Sequence, residues 1–220
     1  MPKIKLEKGA DNPILRTMSD EVSDLTMKTP RYGVKLREFV REMKEMLYDQ
    51  SGLGLAAPQV GENIRVIVLR INVDTPHEMF IAMINPEIIE SSWRGFRVVG
   101  EAIKGSSLGA SGSAVGASSE ALAASSEIRN VGKKMNIDGG IPEGAEIGEE
   151  GCLSLPGLYV NVVRARDITV RFVNGGVLLK GGTVKKGLPA KTTLKLSGLN
   201  ARVVQHETDH LNGVMICDRG

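Results

Sequence analysis

Residues 197–213 read SGLNARVVQHETDHLNG, and the fold turns on how this stretch is read. Ser197 is a residue type that caps helix N-termini, and Asn212 with Gly213 supplies a left-handed stop. A helix of about three and a half turns fits between them. Leu199, Val203, His206 and His210 recur at i, i+4, i+7 and i+11, so they share one face of an amphipathic helix. On that face His206-Glu207-Thr208-Asp209-His210 is an HExxH motif. Its spacing sets two imidazoles one turn apart, able to hold one metal ion, with Glu207 beside them to act on water. A lone histidine on an apolar face is usually a satisfied core residue; two at this spacing with a glutamate between them argue for chemistry. Catalytic metal sites usually combine three protein ligands with one open position, so the two histidines leave the site one ligand short. Zinc peptidases with HExxH find that ligand well downstream, but ten residues follow His210 and Asp218 is the sole carboxylate among them. His77, Cys217, Cys152 and several carboxylates elsewhere are the other donors. Cys152 sits in EEGCLSLPG (149–157), where glycine and proline shape an irregular edge, although an isolated cysteine more often packs as a small hydrophobe.

Outward from this helix, the stretch from Gly33 to Gln50 places Leu36, Phe39, Val40, Met43, Met46 and Leu47 at helical spacing, which predicts a second amphipathic helix. SGLGLAAPQVG (51–61) is a glycine-interrupted apolar segment. Short runs rich in branched and apolar residues predict strands at 64–71 and 79–84, with a turn over Asn72–His77. Further strands are expected at Leu158–Val163, Asp167–Val173 and Lys191–Leu196, with a Gly/Lys-rich hairpin region at 175–190. Residues 105–126 are almost entirely Gly, Ser and Ala, too poor in apolar area to offset the entropy of ordering them. This predicts a flexible segment, with room for a short Ala-based helix near 117–126. No internal repeat is visible.

The chain has 220 residues, 41% hydrophobic and 25% charged, which suits one soluble globular domain and excludes collagen-like, coiled-coil and fully disordered classes. With 28 Lys plus Arg against 26 Asp plus Glu, the net charge of +2 gives no electrostatic reason to expect a nucleic-acid or membrane partner. Two cysteines are too few for a disulfide scaffold, so free or metal-bound thiolates in a reducing compartment are expected. No run reaches the length of a membrane span. The start, MPKIKLEKGADNP, lacks the apolar stretch of a secretory signal, and the expected location is the cytoplasm.

Three segments taken together, GLGLAAPQ (52–59), EGCLSLP (150–156) and QHETDH (205–210), resemble in order the three signature motifs of peptide deformylases. The resemblance covers about 8–94 and 149–218. It implies an α+β metallohydrolase, mixed and mostly antiparallel strands around a central helix that carries HETDH. It also implies removal of the N-formyl group from the initiator methionine of newly made chains, with release of formate. By this resemblance the metal ligands are Cys152, His206 and His210. Glu207 is the general base, and the Gln59 side-chain amide and the Leu153 backbone N–H stabilise the oxyanion. The backbone around Leu53, Gly54 and Gly151 pairs with the extended substrate peptide, while Leu53, Leu199 and Val203 wall a slot for the methionine side chain. The Arg202 stem is expected to line that slot with its charge reaching solvent. A thiolate ligand favours softer divalent metals, ferrous iron in the cell, with zinc, nickel or cobalt able to take the same ligands.

Two departures from the family pattern carry their own expectations. Gln59 and Cys152 are 93 residues apart, and the surplus, about 95–148, is expected to be a flexible insertion in a single domain, cheap in loop closure and without catalytic role. The C-terminal helix by which many bacterial relatives dock on the ribosome has no counterpart after His210, so ribosome contact is expected to be transient. Short forms also occur in organelles and phages. HETDH alone would also fit a zinc peptidase, but that leaves GLGLAAPQ and EGCLSLPG without purpose. A binding module grown from a dead enzyme is disfavoured because every catalytic residue type is present.

Overall fold

Within IRVIVLRI (64–71), residues 66–69 are apolar at successive positions rather than alternate ones, which is the pattern of a strand covered on both faces. The computed structural model describes residues 4–93, 140–179, 183 and 185–220. Its strands are β1 (Gly54–Ala56), β2 (Val66–Ile71), β3 (Met79–Ser91), β4 (Ala145–Cys152), β5 (Leu155–Ala165), β6 (Asp167–Asn174) and β7 (Thr192–Ser197). Its two α-helices are α1 (Leu36–Asp49) and α2 (Gly198–Leu211). Five strands form an antiparallel sheet in the order β1-β2-β3-β6-β7, and β4 pairs with β5 as a separate antiparallel ribbon. The fold is the α+β arrangement that the motifs imply.

The sheet divides two apolar clusters. Val66 and Val68 point to the side where Leu36, Phe39, Val40, Met43 and Leu47 of α1 are buried; Ile67, Leu69 and Ile71 point to the side of Ala201, Val203, Val204 and Leu211 of α2. A residue step of one changes face, so both helices need β2 to be apolar on both faces, as it is from Val66 to Leu69. α1 keeps its other face in solvent, as its spacing predicts. α2 does not: every residue from Ala201 to Leu211 is buried, because β1, β2, β6 and β7 cover one side and β5 the other. The expected amphipathic helix is therefore a fully enclosed one, and it lies between the sheet and the ribbon.

Several boundaries differ from the sequence reading. β3 continues past Ile84 to Ser91 through Asn85 and Pro86. Asn85 takes φ 50°, and the register shifts between Ile84 and Glu87, so the residue without an N–H falls in a bulge. The ribbon strand β5 likewise starts three residues earlier than expected and passes through Pro156. At α2, Ser197 occupies the N-cap position but makes no side-chain cap hydrogen bond; its hydroxyl bonds Asp167 instead. The expected hairpin region begins as a 3-10 turn, Gly175–Leu178, with residues 180–182 and 184 outside the described set. The expected insertion is shorter than 95–148, because Ala145–Gly148 pair with Ala165–Val162 as the start of β4. The Gly/Ser/Ala stretch and the short helix expected near 117–126 lie outside the described residues.

Candidate metal centre and peptide cleft

α2 carries two of the candidate ligands and β4 the third. A helix places residues i and i+4 on one face, and the Nε2 atoms of His206 and His210 approach to 3.2 Å. β4 ends at Cys152, where the register with β5 breaks and the chain turns through Leu153 and Ser154, and its Sγ lies 3.2 Å from His210 Nε2. The sulfur and two ring nitrogens all fall within 4.8 Å of one another. Three lone-pair donors converging on one point is an arrangement that a cation satisfies, and one thiolate with two imidazoles suits zinc or ferrous iron. The two histidines differ in proton affinity, and a cation bound here would take the place of the proton that His206 holds. Burial lowers the proton affinity of His206, yet its hydrogen bonds with Cys152 and Glu150 outweigh that and raise its pKa to about 10. Burial and the neighbouring His206 hold His210 well below its ordinary value, so its ring is a neutral donor.

The groups next to these donors complete the picture. Glu150 Oε2 meets His206 Nδ1 at 3.0 Å, the carboxylate-to-histidine contact that fixes a ligand's tautomer and ring orientation. Burial would push the Glu150 carboxyl up, but hydrogen bonds from Arg164 and His206 prevail and hold it well below the usual range. Arg164, itself buried, bonds both Glu150 oxygens at 2.9 and 2.8 Å and reaches Asp209. Asp209 also pairs with Arg219. Glu207 Oε2 has no hydrogen-bond partner among the described groups, and burial pushes its carboxyl up to about 7, where one group can both take and return a proton near neutral pH. Gln59 sits in the 3-10 turn Ala57–Val60; its Oε1 accepts the Ala56 N–H at 2.8 Å, which turns Nε2 toward Cys152 Sγ, 3.5 Å away, and Ser154 Oγ.

A cleft of about 470 Å³ opens above these residues, between the chain at Gly52–Gly54 and the ribbon at Glu149–Tyr159. Leu53, Gly54, Gln59, Gly151, Cys152, Leu153, Leu199, Arg202, Val203, His206 and Glu207 all line it, so every singled-out site residue except the buried His210 borders one cleft. The other donors do not join them. His77 is exposed in the turn between β2 and β3, while Cys217 and Asp218 contact Arg16.

One expectation needs revision, and two glycines have a reason inside the chain as well. Arg202 does not send its charge to solvent: its guanidinium is buried and bonds Glu150 Oε1 at 2.8 Å, the Val162 carbonyl at 2.9 Å and the Glu146 carbonyl at 3.0 Å. Gly54 lacks a side chain for a reason inside the chain, because a Cβ there would overlap the Glu207 carboxyl group, with Cδ at 2.7 Å. At Gly151 a Cβ would stand 3.0 Å from the Tyr159 ring. The sequence reading passed over Glu150, Arg164, Asp209 and Tyr159. Glu150 carried a usable signal: strand residues two apart face the same way, so a strand that aims Cys152 at the helix also aims Glu150 there.

A family model described as polypeptide deformylase matches residues 8–103 and 137–220. Peptide deformylase 2 of Prochlorococcus marinus (strain MIT 9313) is 32% identical over 212 residues, 95% of this chain and 75% of that protein. The peptide deformylase of Halothermothrix orenii is 31% identical over 220 residues, 100% of this chain and 94% of that protein. Among solved structures, the peptide deformylase of Thermotoga maritima superposes with a TM-score of 0.60 at 27% identity, covering 100% of this chain and 98% of that one. A peptide deformylase from Synechococcus elongatus in complex with actinonin superposes at 0.59 with 26% identity, covering 100% and 79%. With the matched segments taking in all three motifs and leaving out only residues 1–7 and the middle of the insertion, the chain belongs to the polypeptide deformylase family.

Proposed function

We infer that this chain removes the formyl group from N-formylmethionyl nascent peptides, an amide hydrolysis that yields formate and a free amino terminus, and that it does so with the residues gathered at the cleft floor. The family relationship supports the reaction class. The observation that carries the residue assignment is the convergence of Cys152, His206 and His210 beside Glu207, whose Oε2 has no partner among the described groups, at the foot of the cleft. Cys152, His206 and His210 would hold one divalent ion. That ion supplies Lewis-acid activation of water near neutral pH. Ferrous iron is the metal assigned in the cell, with zinc, nickel or cobalt able to use the same donors.

The remaining work falls to the protein. Glu207, whose Oε2 has no other partner among the described groups, accepts the proton of the attacking water and returns it to the leaving amine. The Gln59 amide and the Leu153 N–H donate to the oxygen on which negative charge develops. Leu53, Gly54 and Gly151 offer backbone to an extended peptide, and Leu53, Leu199 and Val203 enclose its methionine side chain. That the Synechococcus elongatus relative is solved in complex with actinonin supports ligand binding by a chain of this fold. The 104–136 segment that the family model skips is assigned no catalytic part. No helix among the described residues is long and apolar enough to cross a membrane. A cytoplasmic setting, with transient contact at the ribosome, suits a thiolate ligand and a nascent substrate.

The test is formate release from formyl-Met-Ala-Ser by anaerobically prepared protein loaded with ferrous iron or nickel. Glu207→Ala is expected to lose about 10²–10⁴-fold in turnover while keeping its metal. Cys152→Ala should lose the metal as well. Full turnover by Glu207→Ala would remove the proposed base, and no turnover by folded, metal-loaded wild-type protein would remove the function.

A further inference from the structure

We propose that Arg202 is a positioning residue that ties the two halves of the metal site together and so sets how long the metal stays bound, rather than a wall of the substrate slot. This rests on the metal-hydrolase reading above and refines its ligand shell. The site has an awkward construction. Two ligands ride on α2 and the third at the end of β4, elements that belong to different layers. Nothing in the covalent chain near Cys152 fixes its distance from the helix.

Arg202 is on α2, one turn before His206, and its guanidinium crosses the gap. It reaches five acceptors on the ribbon: Glu150 Oε1 at 2.8 Å, the Val162 carbonyl at 2.9 Å, the Glu146 carbonyl at 3.0 Å, and the Gly148 carbonyl and Glu146 Oε1 each at 3.4 Å. Glu146, Gly148 and Glu150 are alternate residues of the strand that ends at Cys152. The planar fork therefore grips that strand along its length from the helix that carries the histidines. Its Glu150 contact also acts on a ligand directly, since the other oxygen of that carboxylate holds His206 Nδ1. Gly148 makes the approach close enough: a Cβ there would stand 3.0 Å from Arg202 Cζ. Arg164 holds Glu150 as well, but from β5 and toward Asp209. Among the described side chains it is Arg202 that runs from the histidine helix to the backbone of the cysteine strand.

Nickel loss from the full chain decides the matter without reference to turnover. The protein is loaded with Ni²⁺, EDTA is added, and the decay of the thiolate-to-nickel absorption band gives the loss rate. Arg202→Lys keeps the charge but not the fork, and is expected to lose nickel about tenfold faster or more. Gly148→Ala, which leaves every charged group in place and only displaces the guanidinium, should shift the rate the same way by less. With nickel saturating, KM for formyl-Met-Ala-Ser should stay unchanged in Gly148→Ala, whose residue does not line the cleft. Loss rates equal to wild type in both variants, or a raised KM with an unchanged loss rate, would overturn the proposal in favour of a slot-lining role. Wild-type protein that binds nickel through its thiolate yet releases no formate would sink the hydrolase reading alone, and the loss rates would still decide the role of Arg202.

Discussion

α1 and α2 are both fourteen residues long, flank the same sheet from opposite sides, and are buried for opposite reasons. α1 buries Leu36, Phe39, Val40, Met43 and Leu47 and leaves its charges in water. Each of those side chains gains about 1.5–3 kcal/mol on leaving solvent, and no partner has to be specified beyond shape. α2 buries Arg202, Gln205, His206, Glu207, Thr208, Asp209 and His210 in the same fourteen residues. Its polar groups cost free energy to dehydrate, so they call for named partners, and Glu207 Oε2 and Thr208 Oγ1 stand out as lacking one among the described groups. Gln205 finds the Ala165 N–H and carbonyl at 3.0 and 2.8 Å, and Asp209 finds Arg164 and Arg219. The sheet side of the molecule is held by area, and the ribbon side by pairing. A function that needs charges, lone pairs and dry carboxylates at one point can only be built on the second kind.

The contrast breaks hardest at Arg164. Arg164→Met removes a buried cation that two buried carboxylates share, and stranding those charges should cost about 3–5 kcal/mol. Because Glu150 then loses the bonds that aim it at His206, metal affinity should fall along with stability. Chemical unfolding with and without nickel reads both. If Arg164→Met unfolds like wild type, the ribbon side is held by something other than these pairs. The matching cut on the other side is Met43→Ala, which opens a cavity between α1 and the sheet and should cost about 2–5 kcal/mol. Here the expected turnover per folded molecule is unchanged. A drop in turnover with stability intact would show that the two sides of the sheet are coupled, and the comparison would need redrawing.

The same division explains what could be read from the residues alone. α1 was legible because a single apolar stripe at 3.6-residue spacing has one solution, and its observed limits, 36–49, fall inside the expected 33–50. α2 was legible through HETDH, whose spacing speaks of a metal, but its amphipathic reading failed. Arg202, Gln205 and Asp209 look like a solvent face in a sequence and become interior only when the ribbon covers them. β3 beyond Ile84 was hidden by Pro86, which ordinarily ends a strand and here falls in a bulge. Convergence of Cys152 with the histidines had no local signal, since 54 residues and a layer of the fold separate Cys152 from His206; it came from the resemblance of three motifs and not from spacing. Arg164 had no signal at all. A charge near the end of a strand-like run reads as exposed, and only the distant Glu150 and Asp209 make it otherwise.

A third kind of charge, paired but exposed, sharpens the comparison from its weak end. Glu87 on β3 and Arg171 on β6 are register partners, 2.9 Å apart, with Lys191 at 3.6 Å and about a third of the Glu87 side chain in water. The Arg171 hydrogen bond lowers the Glu87 carboxyl below its ordinary 4.5 despite some opposing burial. A carboxylate whose pKa is lower folded than unfolded adds stability above the unfolded value and gives it up as the pH falls through the folded one. Solvent screens such a pair, and its worth is below about 1 kcal/mol. Glu87→Gln should therefore lower stability slightly at pH 7 in low salt. The difference should shrink in 1 M salt, where screening acts over about 3 Å, and vanish at a pH low enough to protonate Glu87 in wild type. A loss as large as that of Met43→Ala would mean that exposure does not set the value of a charge pair in this protein, and the reason given for the enclosed network around α2 would lose its footing.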